Sequence, residues 1–285
     1  MNWGIQMKKI LALIFGFLIN FTCIAQPILI EEKLDRMQGF LTKSPVYIRA
    51  LGWMPEEKTD TAILYFNGWP SISRIETDKS FFNGVNRFMR VSMLTKENIG
   101  FVLMDCPTDQ WGNKSWDTPT ACDDSYRSSK QHAEDIQKII NSLKENQGVK
   151  NIYLMGHSHG TISAKLLGKN IRGDIAGVIS SAAVTVRYRG AVSNFGWAGE
   201  AFNMKELNVP VLNIHHEEDG CFVTPYSTVI KYSEKNLVTV NGGTKNGPVC
   251  GGGHYHSYEG NEFEVNSAII KWIKTREVTP SIGSK

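Results

Sequence analysis

Gly156-His157-Ser158-His159-Gly160 places a serine between two glycines, with an apolar run before it (residues 149–155) and a helix-forming run after it (residues 161–167). A serine hydroxyl is a weak nucleophile until a neighbouring base takes its proton. Strand, Gly-x-Ser-x-Gly, helix supplies a geometry for that chemistry. The sharp turn lifts Ser158 out of the backbone in a strained conformation and leaves no room for side chains at positions 156 and 160. The following helix directs its first N–H groups toward the place where an oxyanion would form. The bland alternative is an ordinary strand-to-helix turn with a solvated serine, since glycine and serine are common. Chemistry elsewhere in the chain has to decide between the two.

A nucleophilic serine requires a histidine, and the histidine requires an orienting carboxylate. The chain has 7 histidines. His132 falls inside a helix-like stretch and reads as a solvated surface residue. His157 and His159 flank the serine and cannot fold back onto it. His215 and His216 end a strand ahead of the acid candidates, lining the site or packing beneath it. His254 and His256 remain, in the glycine-rich loop Gly251-Gly252-Gly253-His254-Tyr255-His256-Ser257-Tyr258 between the last strand and the last helix. The strand at 209–215 is followed by three carboxylates, Glu217, Glu218 and Asp219. Metal catalysis is the competing chemistry, because His254 and His256 at strand spacing, with His215, His216 and the acids, are possible ligands. The order serine, carboxylate, histidine accounts for more residues, so neither a metal nor a cofactor is expected.

The elements that must position these groups follow from apolar periodicity. Strands are expected at 61–66, 99–105, 149–155, 174–180, 209–215 and 237–240. Helical patterns run over 78–93, 128–146, 161–167 and 261–275. Residues 107–127 read as a long polar loop, in which Trp111 and Trp116 could line the mouth of a site. Residues 182–207 have no clear period; Val184, Val186, Tyr188, Phe195, Trp197 and Phe202 there suit either a small lid over an apolar pocket or plain packing. Alternation of strands and helices implies a mostly parallel, doubly wound sheet covered on both faces, with ligands beyond the carboxyl ends of the strands. Every polar cluster named above lies at such an end.

With these residues in this order, the chain resembles the α/β-hydrolase superfamily over roughly residues 55–275. More narrowly it is similar to exported serine hydrolases related to dienelactone hydrolases and small esterases. The resemblance implies an α/β-hydrolase fold with a small cap or none. His256-Ser257-Tyr258-Glu259-Gly260 matches the family's pattern before the final helix, which favours His256 as base, with His254 as the alternate. Asp219, followed after a few residues by Pro225 opening a helix, fits the acid best, with Glu218 and then Glu217 behind it. The oxyanion hole implied by the family uses the backbone N–H of His159 and one from the loop after the early strand, Asn67-Gly68-Trp69-Pro70, assigned to Trp69. Many relatives begin that loop with His-Gly; a backbone donor survives the change to Asn-Gly. The implied activity is hydrolysis of a small-molecule or lipid carboxylic ester through an acyl-enzyme. Lipase, peptidase, thioesterase and acyltransferase chemistry use the same triad, and a non-catalytic binding protein on the same fold is the alternative from another class.

Lys8-Lys9, the apolar run 10–19 and small residues ending at Ala25 form a secretory leader, expected to be cleaved after Ala25 and to leave a single domain over 26–285. Met7-Lys8-Lys9 is the more usual opening for such a leader. The run is too short for a membrane span, and Asn20-Phe21-Thr22 lacks the small and aliphatic residues that a lipid anchor at Cys23 would need. Without Lys8 and Lys9 the chain carries 29 basic against 28 acidic residues, a balance that argues against nucleic acid as a partner. A secreted or periplasmic location makes the remaining cysteines disulfide candidates. Sequence-local pairing joins Cys106 with Cys122 and Cys221 with Cys250. The second pair would tie the acid loop to the segment leading into the base loop. The oligomeric state is left open.

Overall fold

The computed structural model describes residues 26–112, 122–171, 173–186 and 207–284. The proposed leader, most of the candidate lid with Tyr188, Phe195, Trp197 and Phe202, and Trp116 lie outside these residues.

The centre of the molecule is built from short apolar runs that only a sheet covered on both faces can bury. These are β3 (Thr61–Phe66), β4 (Gly100–Met104), β5 (Asn151–His157), β6 (Ile175–Ser181), β7 (Val211–His216) and β8 (Leu237–Val240). With β1 (Ile28–Gln38), β2 (Ser44–Trp53) and β9 (Ser281–Ile282) they form one nine-stranded sheet in the order β1-β2-β4-β3-β5-β6-β7-β8-β9. β2 runs antiparallel to β1 and β4, and all other neighbours are parallel.

Successive side chains on a strand face opposite ways. Leu64 and Leu154 join a core with α3 (Lys130–Gln147) and α4 (Gly160–Asn170), through Ile136, Ile140, Ala164 and Leu167. Ile63, Tyr65, Tyr153 and Met155 join the opposite core, with α1 (Val91–Lys96) and α6 (Glu262–Thr275). α3 starts where the Ser129 hydroxyl accepts the His132 N–H and stops at Gly148, whose φ of 71° suits a residue without Cβ. The short α2 (Asp124–Arg127) precedes α3, and α5 (Tyr226–Ser233) follows Pro225. No helix among the described residues is long and apolar enough to cross a membrane.

Three expectations are corrected. The helix expected over 78–93 exists only as Val91–Lys96. Upstream, Asp78 accepts from the Ser80 N–H and hydroxyl, Asn86 accepts from the Phe88 N–H, and Lys79 has φ 69°; such local bonds compete with a helical ladder. The sheet also contains three strands not among those expected from the apolar pattern, β1, β2 and β9. Finally, His132 is not solvated. It is 2% exposed, bonds to Ser163 Oγ at 3.2 Å and packs on Tyr126. Burial, with the nearby Arg127 charge, pushes its imidazole well below the usual range.

Candidate active site

The parallel strands all end at one edge of the sheet, and the loops leaving that edge carry the chemistry. β5 runs into Ser158, which adopts φ 52° immediately before α4. A non-glycine residue there costs on the order of 1–3 kcal/mol. The Ser158 N–H donates to the Ser181 carbonyl at 2.9 Å, and the Ser158 carbonyl accepts from the Thr161 N–H and hydroxyl. These bonds over-determine the strained turn. Both glycines are required by close approach: a Cβ at 156 would run into the Gly160 carbonyl, and one at 160 into the Phe66 and Asn67 carbonyls.

β7 ends at His216 and turns at once into the acids. Glu217 and Glu218 are exposed, whereas the Asp219 side chain is fully buried. Asp219 Oδ1 accepts from the Cys221 N–H at 3.0 Å; Oδ2 accepts from Thr224 Oγ1 at 2.9 Å and from His256 Nδ1 at 2.9 Å. His215 Nε2 lies 3.4 Å from Oδ2 while donating to the Thr224 carbonyl at 2.8 Å. Burial alone would raise the Asp219 carboxyl, but the two histidines outweigh it and hold the group well below the usual carboxylate range.

His256 arrives from the long loop after β8, on a single turn of 3-10 helix at Tyr255–Ser257. With Nδ1 committed to Asp219, Nε2 is buried and has no hydrogen-bond partner among the described residues. Its ring stands 5.1 Å from that of His157, the residue before Ser158. The imidazole is therefore at the elbow, oriented by a carboxylate, with one nitrogen uncommitted. His254, by contrast, packs edge-on against Tyr255, and its backbone carbonyl accepts from the Ser257 and Glu259 N–H groups. Asp219 and His256 are thus brought together, and Glu218 and His254 are not.

The second loop expected at the site lies where β3 ends. A Cβ at Gly68 would stand 3.1 Å from the Ser158 Cβ, so this loop abuts the nucleophile candidate. Asn67, standing where many relatives have histidine, donates from Nδ2 to the Gly84 carbonyl at 2.8 Å and so ties the loop to its neighbour. Trp69 is 50% exposed at the rim. Below it, Asp105 at the end of β4 accepts from the N–H groups of Ser73, Ile75 and Cys106.

The cysteines pair as 106–122 and 221–250. The second bond joins the residue two after Asp219 to the start of the glycine-rich loop that carries His256. Sequence reasoning missed Thr224, which supports the acid, and a buried cluster of Ser71, Asp124, Arg127 and the His159 ring. Position before a proline-opened helix was the only signal for Thr224. No periodicity marks the others.

The sequence family described as serine aminopeptidase, S33, matches residues 124–247. No curated protein matches the chain. Among solved structures the chain is similar to Est1E from Butyrivibrio proteoclasticus, at 16% identity over 88% of this chain and 98% of that one, with a TM-score of 0.54. It is similar to the dienelactone hydrolase from Anabaena variabilis, at 13% identity over 87% and 98%, TM-score 0.54. It is also similar to an esterase from Pyrococcus furiosus, at 14% identity over 85% and 90%, TM-score 0.51. At such identities the structural likeness speaks for the fold. Sheet order, the serine turn between β5 and α4, and the structural likenesses together give the chain an α/β-hydrolase fold, and the family match covers its central part, residues 124–247.

Proposed function

We propose that the protein is a serine hydrolase that cleaves carboxylic esters through an acyl-enzyme, working outside the cytoplasm after removal of its leader. The observation that carries this reading is the buried Asp219–His256 pair, whose imidazole ring lies 5.1 Å from that of His157, the chain neighbour of a serine held at positive φ. In the first half-reaction the Ser158 Oγ attacks the ester carbonyl while His256 Nε2 takes the hydroxyl proton. Asp219 holds the Nδ1–H tautomer and stabilises the imidazolium as it forms. The N–H groups of His159 and Trp69 receive the oxyanion. The imidazolium then protonates the departing alkoxide. A water, deprotonated by the same nitrogen, releases the acid and regenerates Ser158. The two cysteine pairs support an oxidising compartment.

The test is fluorophosphonate labelling together with hydrolysis of p-nitrophenyl esters of graded chain length. Wild type should label on Ser158 and turn over, and Ser158→Ala should lose both. An unlabelled wild type would favour a binding protein, and a labelled Ser158→Ala would move the nucleophile elsewhere. Preference for long acyl chains with interfacial activation would mark a lipase. Peptidase activity is a second reading, favoured by the matched family's description as a serine aminopeptidase; aminoacyl p-nitroanilides assayed beside the esters separate it.

A further inference from the structure

His159 is the residue after the nucleophile candidate, and the reading above uses only its backbone N–H. Its ring is engaged on both sides. Nε2 is 2.7 Å from Asp124 Oδ1, and Nδ1 is 2.5 Å from Ser71 Oγ. A carboxylate only accepts, so Nε2 carries the proton and donates to Asp124. Nδ1 is then a bare lone pair and accepts from the Ser71 hydroxyl. Burial pushes the imidazole down despite the Asp124 bond, which keeps the ring neutral and this tautomer in place.

Ser71 closes the loop that abuts Ser158. Its N–H returns to the Gly68 carbonyl at 2.7 Å, spanning Trp69, and its φ is 61°. Its carbonyl is gripped at 2.8 Å by Nη2 of Arg127, a fully buried guanidinium that also bonds the Cys122 carbonyl and Ser163 Oγ. The Trp69 ring meets the His159 ring edge-on, with centroids 6.0 Å apart. The loop bearing one proposed oxyanion donor is therefore fastened to the side chain of the residue bearing the other.

We propose that Asp124, His159 and Ser71 form a positioning relay that fixes the Trp69 N–H relative to the His159 N–H, and so sets the geometry of the oxyanion hole. The inference rests on the serine-hydrolase reading, in which those two amides stabilise the oxyanion. Asp124 and Ser71 act through the His159 ring and the 68–71 turn and are positioning residues. Such donors matter only as negative charge develops. Loosening the relay should therefore lower kcat and leave KM nearly unchanged.

Two variants test this. Ser71→Gly deletes the hydroxyl but suits φ 61° better than serine does, so the turn itself is not weakened. Asp124→Asn keeps the shape and removes the charge that fixes the tautomer. Both are assayed on p-nitrophenyl butyrate, with kcat normalised to sites titrated by fluorophosphonate and with thermal midpoints measured in parallel. The expected result is a kcat about tenfold or more below wild type in each, smaller than the loss on deleting a donor outright, with KM within about twofold and Ser158 still the labelled residue. Wild-type kcat per titrated site in both variants overturns the relay, as does a loss confined to KM, and so does labelling of Ser71 in wild type, which would make it a nucleophile. If Ser158→Ala retains activity, Ser158 is not the nucleophile and the reading on which the relay rests falls; if Ser158→Ala is inactive and the two variants are normal, only the relay falls.

Discussion

Replacing Thr224 with valine isolates the support of a buried carboxylate without opening a cavity. Thr224 is fully buried, and its hydroxyl gives Asp219 Oδ2 one of two close bonds, at 2.9 Å; the other comes from His256 Nδ1 at the same length. A methyl group of nearly the same volume would stand in its place, so the main loss is the bond to Asp219, with the longer approaches to the Cys221 carbonyl and His256 Nδ1. A hydrogen bond to an ionised group contributes about 1.5–3 kcal/mol. The remaining donors are His256, the Cys221 N–H and the more distant His215. Urea unfolding of Thr224→Val should show about 2 kcal/mol less stability, a midpoint shift of about 1 M for an m-value near 2 kcal/mol/M. Because Asp219 still holds Nδ1–H, kcat should fall only about three- to tenfold, and Thr224→Ser should recover most of both losses. A stability change below about 0.5 kcal/mol, with an unaltered kcat, would refute the claim that this hydroxyl carries part of the carboxylate's load.

Acid titration probes the same carboxylate. The folded Asp219 pKa lies well below that of an unfolded aspartate, about 3.9, so the unfolded chain binds the extra proton first. The stability due to this group is complete above that value and is lost as pH falls through it toward the folded pKa, with a slope of up to about 1.4 kcal/mol per pH unit. Urea melts between pH 5 and pH 3 should be flatter in Asp219→Asn than in wild type; parallel slopes would refute the assignment. The Cys221–Cys250 bond closes a span of 29 residues, which contributes about 3.6 kcal/mol in the chain-entropy picture. Cys221→Ser/Cys250→Ser should lose about that much stability by urea melt and should also loosen the Asp219–His256 pair, read as a kcat below wild type in the folded fraction. A wild-type kcat in the folded fraction would remove the catalytic reading of that bond.

Much of this fold could be read from the chain because its central strands are buried on both faces. Continuous runs such as Ile63-Leu64-Tyr65-Phe66 have no competing interpretation once helices alternate with them. The edges were not legible for the opposite reason. β1 carries Glu31, Glu32, Lys33, Asp35 and Arg36 in a strand with one solvated side, and its partial alternation is easily taken for a polar segment. The site divides the same way. Ser158, the acid loop and the glycine-rich histidine loop each follow a recognisable strand, so order along the chain locates them. Asp124 acts across the fold, on a histidine 35 residues away, and Thr224 turns back on a carboxylate 5 residues earlier within an irregular loop; no local periodicity encodes either meeting. His132 misled because a histidine in an amphipathic helix usually faces water, whereas here α2 and α4 cover the first turn of α3.

The distribution of polarity explains why the cross-links stand where they do. In mid-sheet, Leu64, Val102 and Leu154 are buried among apolar neighbours and lose nothing but hydration. Toward the carboxyl edge lie buried His157, Ser180 and Asn213 of β5, β6 and β7 and, from the loop after β8, His256, each with a polar atom lacking a partner among the described residues. Each such atom costs on the order of 1–3 kcal/mol, and the positive φ of Ser158 adds to the load. Local burial cannot hold this edge together, because burial there is the source of the cost. Covalent closure does not depend on local packing. One cystine spans the acid and base loops; the other lies beside the 68–71 turn, where Cys106 Sγ approaches the Ser71 carbonyl at 3.6 Å. On this argument reduction should loosen the carboxyl edge before the β3–β5 centre. Hydrogen exchange with and without reductant would show it as early loss of protection in residues 219–224 and 68–75, while 62–65 and 152–155 stay closed. Uniform loss across both regions would mean that the cystines support the whole domain rather than the site.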